Sequence, residues 1–323
     1  MFKVKTLKIV AVLAMSAAWV ANAGAQPYPV KTIRFVVSFP PGGATDTFSR
    51  LSASEMSKTL GQQVIVENRP GAGTTIAADV VAKAAPDGYT LLFTDASSHA
   101  ITASLYRKLP YHPVNSFAPV APLNASPLLL VAHPSVNAKS VKALIAGLKR
   151  NPGMPMGNSG IGTVTHMTGE KFVLRSGVKV TQVNYKGGAT PIIALMSGEV
   201  AVVMATVPAS IQHVRQGRLN AIGLAAAKRS PHLPDVPTIG ESLPGVEGAV
   251  VSAVLAPAGT PAAVIERLNA ELNRVSDSAA AKDVYAVNVA EGMRMSPAQF
   301  SQYLEREVKE WAEVVKATGV TVN

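Results

Sequence analysis

Short runs of β-branched and aromatic residues alternate with helical stretches along most of this chain. That alternation predicts parallel sheets covered by helices, an α/β class. Thr32 to Phe39 reads as a first strand and Asp46 to Leu60 as the helix after it. Val64 to Glu67 and Tyr89 to Phe93 read as further strands, with a helix from Thr74 to Ala84 started after the turn Arg69-Pro70-Gly71-Ala72-Gly73. A second block of the same grammar follows the proline-rich stretch Pro119 to Pro127. It runs strand Leu128 to Ala132, helix Val141 to Lys149, strand Pro155 to Asn158, helix Val164 to Arg175, strand Val180 to Val183, helix Pro191 to Met196 and strand Val200 to Thr206. The tail is helical, Ala262 to Val275 and Ala298 to Thr318. In the last helix Phe300, Leu304, Val308, Trp311 and Val315 make one apolar stripe, which reads as core packing.

The first residues set the compartment. Lys3, Lys5 and Lys8 precede the apolar run Ile9 to Val20, too short to span a bilayer, and small residues follow at Ala21, Ala23 and Ala25. Residues 1–25 are therefore read as a signal peptide cleaved near Ala25, leaving a soluble chain of roughly 300 residues, a size at which one core usually splits in two. The chain has no cysteine, which excludes disulfides, thiolate metal sites, cysteine nucleophiles and a lipid anchor on an N-terminal cysteine. Net charge is +10, of which three charges lie in the leader, leaving +7. The basic residues are scattered, with Arg107-Lys108, Lys149-Arg150 and Lys228-Arg229 as the adjacent pairs, and aromatics are 5% of the chain. A nucleic-acid groove needs clustered cations and stacking platforms, so the charge reads as a solvated basic surface.

Enzyme signatures fail one by one. Gly157-Asn158-Ser159-Gly160-Ile161 resembles a nucleophile elbow but ends on Ile161, and Gly71-Ala72-Gly73-Thr74-Thr75-Ile76 lacks the third glycine of a dinucleotide fingerprint. Ser176-Gly177-Val178-Lys179 has serine–lysine spacing but sits where a helix ends, and reads as a glycine cap. The six histidines, His99, His112, His133, His166, His213 and His232, have no partner at metal-ligand spacing. No metal or cofactor is expected.

Two loops of one physical type remain. In Pro40-Pro41-Gly42-Gly43-Ala44-Thr45-Asp46 and in Ser159-Gly160-Ile161-Gly162-Thr163 a strand ends, glycines allow close backbone approach, and a helix begins. Each offers backbone N–H groups and the positive end of a helix dipole at the carboxyl edge of a parallel sheet, where open α/β sheets bind ligands. One such loop is commonly just a turn. One in each block points to an anion held between two lobes.

The whole mature stretch also resembles the substrate-binding proteins of tripartite tricarboxylate transporters, the Bug receptors. The resemblance rests on Tyr28-Pro29, Ile33-Arg34-Phe35-Val36-Val37, Phe39-Pro40-Pro41-Gly42-Gly43 with Asp46, Gly61-Gln62 and Val66-Glu67-Asn68-Arg69-Pro70-Gly71-Ala72-Gly73. It continues through Ala85-Pro86-Asp87-Gly88-Tyr89-Thr90-Leu91-Leu92, Leu109-Pro110-Tyr111, Tyr185-Lys186-Gly187, Leu233-Pro234-Asp235-Val236-Pro237-Thr238 and Ala256-Pro257-Ala258-Gly259-Thr260-Pro261. It implies a two-lobed periplasmic-binding-protein fold of type II, with lobe one from residues 26–125 and 248–323, lobe two from 126–247, and a carboxylate clasped by the two loops, often through bridging waters. It further implies a periplasmic location and delivery to the membrane subunits of a transporter. The sequence departs from the family at Ala201, Thr206, His112 and Val251, where an acid, Asp, Asp and Trp are usual.

The expected ligand is a small carboxylate: a di- or tricarboxylate, an aromatic acid or an amino acid. The candidate binding set is Pro41, Gly42, Gly43, Thr45 and Asp46 from the first loop and Ser159, Gly160, Gly162, Thr163 and His166 from the second, joined by Ser97, Tyr185, Lys186 and Thr206. The N–H groups of Gly42, Gly43, Gly160 and Gly162 are the expected donors, with hydroxyls from Ser159 and Thr163, while Asp46 serves as a first-turn acid or holds a water. Two other readings stay open at this level: a cleft enzyme using His166 and Asp46 as acid and base, and a ligand sensor feeding a signalling partner. The chain is expected to act as a monomer that closes on its ligand, without nucleic acid.

Overall fold

The computed structural model describes residues 28–322; the leader expected at residues 1–25 lies outside the described residues. Three parallel strands form the first half of the sheet: β1 (Ile33–Val37) lies between β2 (Val64–Asn68) and β3 (Thr90–Asp95). Ile33, Phe35, Val36 and Val37 are all fully buried, as expected for a strand covered by helices on both faces. The covering helices are α1 (Ala44–Leu60), α2 (Thr75–Ala82) and α3 (Ala96–Leu105).

The second half is built the same way. A strand β5 (Met154–Asn158) pairs in parallel with β6 (Val180–Asn184) and β7 (Val202–Thr206). Its helices are α4 (Val141–Arg150), α5 (Val164–Ser176), α6 (Ala189–Ser197) and α7 (Val207–Arg215), followed by β8 (Asn220–Leu224). One apolar cluster, including Val36, Leu92, Leu255, Phe300 and Leu304, fills the first half, and another, including Leu129, Leu195, Val203, Ile211 and Leu224, fills the second.

The two halves share one long strand. β4 (Phe117–Ala132) pairs antiparallel with β9 (Ala249–Pro257) through Pro127, then with β7 and β8 from Leu128 onward. The proline-rich stretch read from the sequence as a boundary between blocks is therefore strand. The ladder with β9 shifts register between Pro119 and Ala121 and again between Pro122 and Asn124, so Val120 and Leu123 have no partner on β9 and Pro119 and Pro122 border bulges, where a strand tolerates proline. The chain returns beside the point where it left. Ala225 N–H donates to Leu128 O at 2.9 Å, Leu128 N–H to Gly248 O at 3.0 Å and Gly248 N–H to Ala225 O at 3.0 Å.

The C-terminal segment packs back on the first half through α8 (Ala262–Asp277), α9 (Ala279–Val287), the two-residue strand β10 (Glu291–Gly292) and α10 (Pro297–Thr318). A capping box of Ser296 and Gln299 starts α10, and its stripe buries Phe300, Leu304, Trp311 and Val315 as the spacing predicts. Among the described residues no helix is long and apolar enough to cross a membrane.

Candidate functional site

At the carboxyl ends of β1, β3, β5 and β7 the following helices begin around one point, a cavity of about 20 Å³. The start of α1 contributes Gly43, Ala44 and Thr45, that of α3 Asp95 and Ser98, and that of α5 Ser159 and Thr163 to Thr165. Gly188 stands at the start of α6 and Thr206 at the start of α7. Phe39 and Val250 complete the wall. Five helix N-termini therefore face one small space, and no Lys or Arg lines it. Each carries roughly half a positive charge at its free N–H groups. Those of α1, α6 and α7 have no side-chain cap, so their first-turn N–H groups are not spent on side chains. The Thr206 hydroxyl is buried without a hydrogen-bond partner. The one charged residue of the wall, Asp95, has its oxygens engaged by Ser97, Ser98 and Val251, so the donors left facing the space are neutral, an arrangement suited to an anion.

The glycine loops do a different job from the one expected. Gly42 is left-handed at φ 91°, and its N–H donates to Asp46 Oδ2 at 3.2 Å. Asp46 also takes Arg50 at 2.9 Å and Asn68 at 3.0 Å. Burial alone would raise its carboxyl, but the hydrogen bonds from Arg50, Asn68 and Gly42 outweigh it and hold the group below the usual carboxylate range. In the second loop Gly160 N–H donates to Asn158 Oδ1 at 2.9 Å and Gly162 N–H to His166 Nδ1 at 3.3 Å. Thr163 is the N-cap of α5: its hydroxyl accepts the His166 N–H at 3.3 Å and donates to Gly160 O at 2.7 Å. The N–H groups of Gly42, Gly160 and Gly162 are thus consumed inside their own turns, which correct geometry requires of a tight loop. The glycines are needed for backbone shape and close approach. Gly162 is the tightest case, where a Cβ would lie 2.5 Å from Leu105 Cδ2, and at Gly43 a Cβ would lie 3.6 Å from Gly188 N.

Of the fourteen candidate residues, Gly43, Thr45, Ser159, Thr163 and Thr206 line the cavity. Pro41, Gly42, Asp46, Gly160, Gly162 and His166 shape the two loops behind it. His166 is a packed residue, and burial pushes its imidazole down to about 4. Ser97 points elsewhere, donating to Glu307 Oε2 at 2.7 Å. Tyr185 donates to Glu199 Oε1 at 2.6 Å and Lys186 is exposed, so neither side chain reaches the cavity. Sequence reasoning missed Ala44, Asp95, Ser98, Val164, Thr165 and Gly188. The signal for Asp95 was present: Asp95-Ala96-Ser97-Ser98 is an acidic cap directly after a strand.

A larger cavity, about 430 Å³, lies beside the two chain crossings, walled by Pro127, Ala225, Gly248, Lys171 and Trp311. It has the volume of a ligand pocket but not the converging helix starts, and its charged walls are of mixed sign. Position at the strand carboxyl ends favours the smaller cavity as the functional site. Among the described residues no three acid or histidine side chains gather as a metal site.

Residues 48–320 match the family described as tripartite tricarboxylate transporter family receptor. This chain belongs to that family. Protein BugT of Bordetella pertussis (strain Tohama I) is 35% identical over 318 residues, 98% of each chain. An R. palustris protein solved with adipate superposes with a TM-score of 0.88 at 33% identity, covering 91% of this chain and 99% of the other. MatC from Rhodopseudomonas palustris, solved with bound malate, gives 0.84 at 34% identity, covering 89% and 100%. The fold is the two-lobed α/β fold of periplasmic binding proteins, and the chain is a solute-binding receptor rather than an enzyme. The acid–base pairing of His166 with Asp46 falls with that: Asp46 is locked to Arg50 and Asn68, and His166 Nε2 faces Glu170 at 3.7 Å.

Proposed function

We propose that this receptor captures a small dicarboxylate, of the size of malate or adipate, between its two lobes and presents it to the membrane subunits of a tripartite tricarboxylate transporter. One observation carries the reading: five helix N-termini and the unpartnered Thr206 hydroxyl face one cation-free cavity. Oriented N–H groups and hydroxyls hold a carboxylate through charge-assisted hydrogen bonds without the desolvation cost of a buried cation. Two similar proteins solved with the dicarboxylates adipate and malate support the same class.

The cavity of about 20 Å³ has room on the order of one water, so entry requires the lobes to part. The hinge of that motion is placed where β4 passes from one sheet to the other at Pro127 and Leu128, and where Ala225 and Gly248 return. Lobe one is then residues 26–125 and 248–323, and lobe two 126–247. Export to the periplasm with cleavage near Ala25 and action as a monomer complete the proposal.

A thermal-shift screen over mono-, di- and tricarboxylates, aromatic acids and amino acids tests it, because a ligand that binds only the native state raises the melting temperature by mass action. Dicarboxylates are expected to give the largest rise, and small-angle scattering with the best of them a smaller radius. A screen in which only uncharged or cationic solutes stabilise the protein would refute the anion site.

A further inference from the structure

One hydrogen bond joins the two halves across the cleft in an unusual way. Val164 is the first residue of α5, and its N–H donates to the hydroxyl of Ser98, in α3, at 2.9 Å. Ser98 and Val164 are 0% and 1% exposed, so water does not replace this partner in the closed arrangement. We propose that Ser98 is a closure latch, a cap supplied by one lobe to the helix start of the other, and that it sets how readily the cleft closes. The proposal rests on the two-lobe reading above and not on which acid is bound.

The hydroxyl is held for this task by Asp95. Ser98 Oγ–H donates to Asp95 Oδ2, which turns the oxygen's lone pairs toward Val164. Asp95 itself is immobilised by the backbone N–H groups of Ser97 and Ser98 at 3.2 Å and by that of Val251, on β9, at 2.9 Å. It acts as a positioning residue. The other approaches across the cleft include bare backbone, such as Gly43 opposite Gly188, which permits closure but does not reward it. When the lobes part, water can satisfy the Val164 N–H; when they close, Ser98 must. Loss of the hydroxyl removes the bond to Val164 in the closed state alone, while the bond to Asp95 is lost in both states and does not move the ratio.

The chain has no native cysteine, so a pair introduced at the exposed positions Ile65 in lobe one and Ile193 in lobe two accepts spin labels cleanly. Pulsed dipolar spectroscopy then reads the closed-to-open ratio without ligand and with malate or adipate. Where the parent closes only with acid, the acid concentration at half closure is read instead. Leaving a buried N–H unpaired is expected to lower the ratio roughly 5- to 100-fold in Ser98→Ala. Val164→Pro deletes the donor instead, at a first-turn position where proline is favoured and after Thr163, whose extended backbone (φ −82°, ψ 160°) suits a following proline. It should have a similar effect, and the double variant should be no worse than about twofold beyond either single one, since both remove the same bond. A purely structural role for either residue would make the effects multiply. Unchanged ratios in Ser98→Ala, multiplying effects in the double variant, or a parent that never closes with or without acid would each overturn the latch. Malate and adipate leaving a ligand-free closed population unaltered would instead count against the dicarboxylate reading alone.

Discussion

Replacing Gly188 by alanine adds one methyl group to the wall of the proposed site and little else. Gly188 has φ −77° and ψ −26°, helical angles that alanine adopts without strain, and it already starts α6. The new Cβ would lie 2.9 Å from Thr206 Oγ1, 3.4 Å from Gly43 Cα and 3.8 Å from Ala209 Cβ. The first contact is within the same lobe and is relieved only by a shift of the Thr206 side chain, which is stiff at χ1, so its cost falls on the open and closed states alike. The second is across the cleft, at the near edge of carbon–carbon contact, so closure must stop a few tenths of an ångström short or repack. A methyl also takes most of a space of about 20 Å³. Overpacking of this kind costs about 1–3 kcal/mol, for the second contact only in the closed state, or roughly 5- to 150-fold in affinity. Calorimetric titration with the best dicarboxylate from the screen measures it, with the ligand-free melting temperature as control. The ligand-free value reads the cost of the contact with Thr206, and the loss of affinity is counted beyond it. Parent-like affinity in Gly188→Ala would mean that the ligand does not sit between Gly43, Gly188 and Thr206.

Three further outcomes are expected. Thr206→Val removes a buried hydroxyl that has no protein partner, so stability should hold or rise while dicarboxylate affinity falls about 10- to 100-fold by titration; equal affinity would take Thr206 out of the site. Thr163→Ala should act first on the fold, lowering urea stability by about 0.5–2 kcal/mol, because that hydroxyl caps α5 and gives its proton to Gly160 O; unchanged stability with weakened binding would make it a ligand donor instead. His166 is buried neutral with its pKa pushed down to about 4, whereas the unfolded chain binds a proton near 6.5. Its contribution to stability is therefore lost as pH falls from about 6.5 through about 4, by about 3 kcal/mol at most. Burial pushes Asp95 up to about 7, against its hydrogen bonds from Ser98 and Val251, and this works in the opposite direction over the same window. The measurement is accordingly the difference between the parent and His166→Gln in urea, which should shrink as pH falls from 7 to 4.5; a constant difference would refute the assignment.

The legible parts of the fold were those with a local signal: β-branched runs that end in glycine turns, and one-sided helical stripes. The stripe of α10 and the strand-to-helix turns after β1 and β5 could be placed because period and glycine spacing report local geometry directly. α3 escaped, since Ala96, Ser97, Ser98, His99, Ala100, Ile101 and Thr102 are all buried and a helix buried all round has no period to read. β9 escaped because Ser252, Ala253 and Ala256 dilute its β-branched run, and the prolines of β4 disguised a strand whose bulges only the pairing with β9 reveals. At the proposed site, the first-turn residues of α1 and α5 were readable as helix starts with free N–H groups. Ser98 and Gly188 required knowing that the starts of α3 and α6 come to the same point.

Composition and motif order alone determined the class: an α/β chain without thiol chemistry, with two glycine turns at strand ends and the run of motifs shared with its family. What a glycine turn does with its N–H groups was decided only in three dimensions. A donor adjacent in sequence to Asp46, Asn158 or His166 is captured locally, because these acceptors are held within hydrogen-bond reach by the turn itself. The groups left facing the cavity are the ones without a local acceptor, and that inventory depends on helices whose starts lie as far apart in the chain as Ala44 and Val207. The contact between Ser98 and Val164 is of the same kind: each residue is ordinary in its own helix, and their meeting is a property of how the two lobes close.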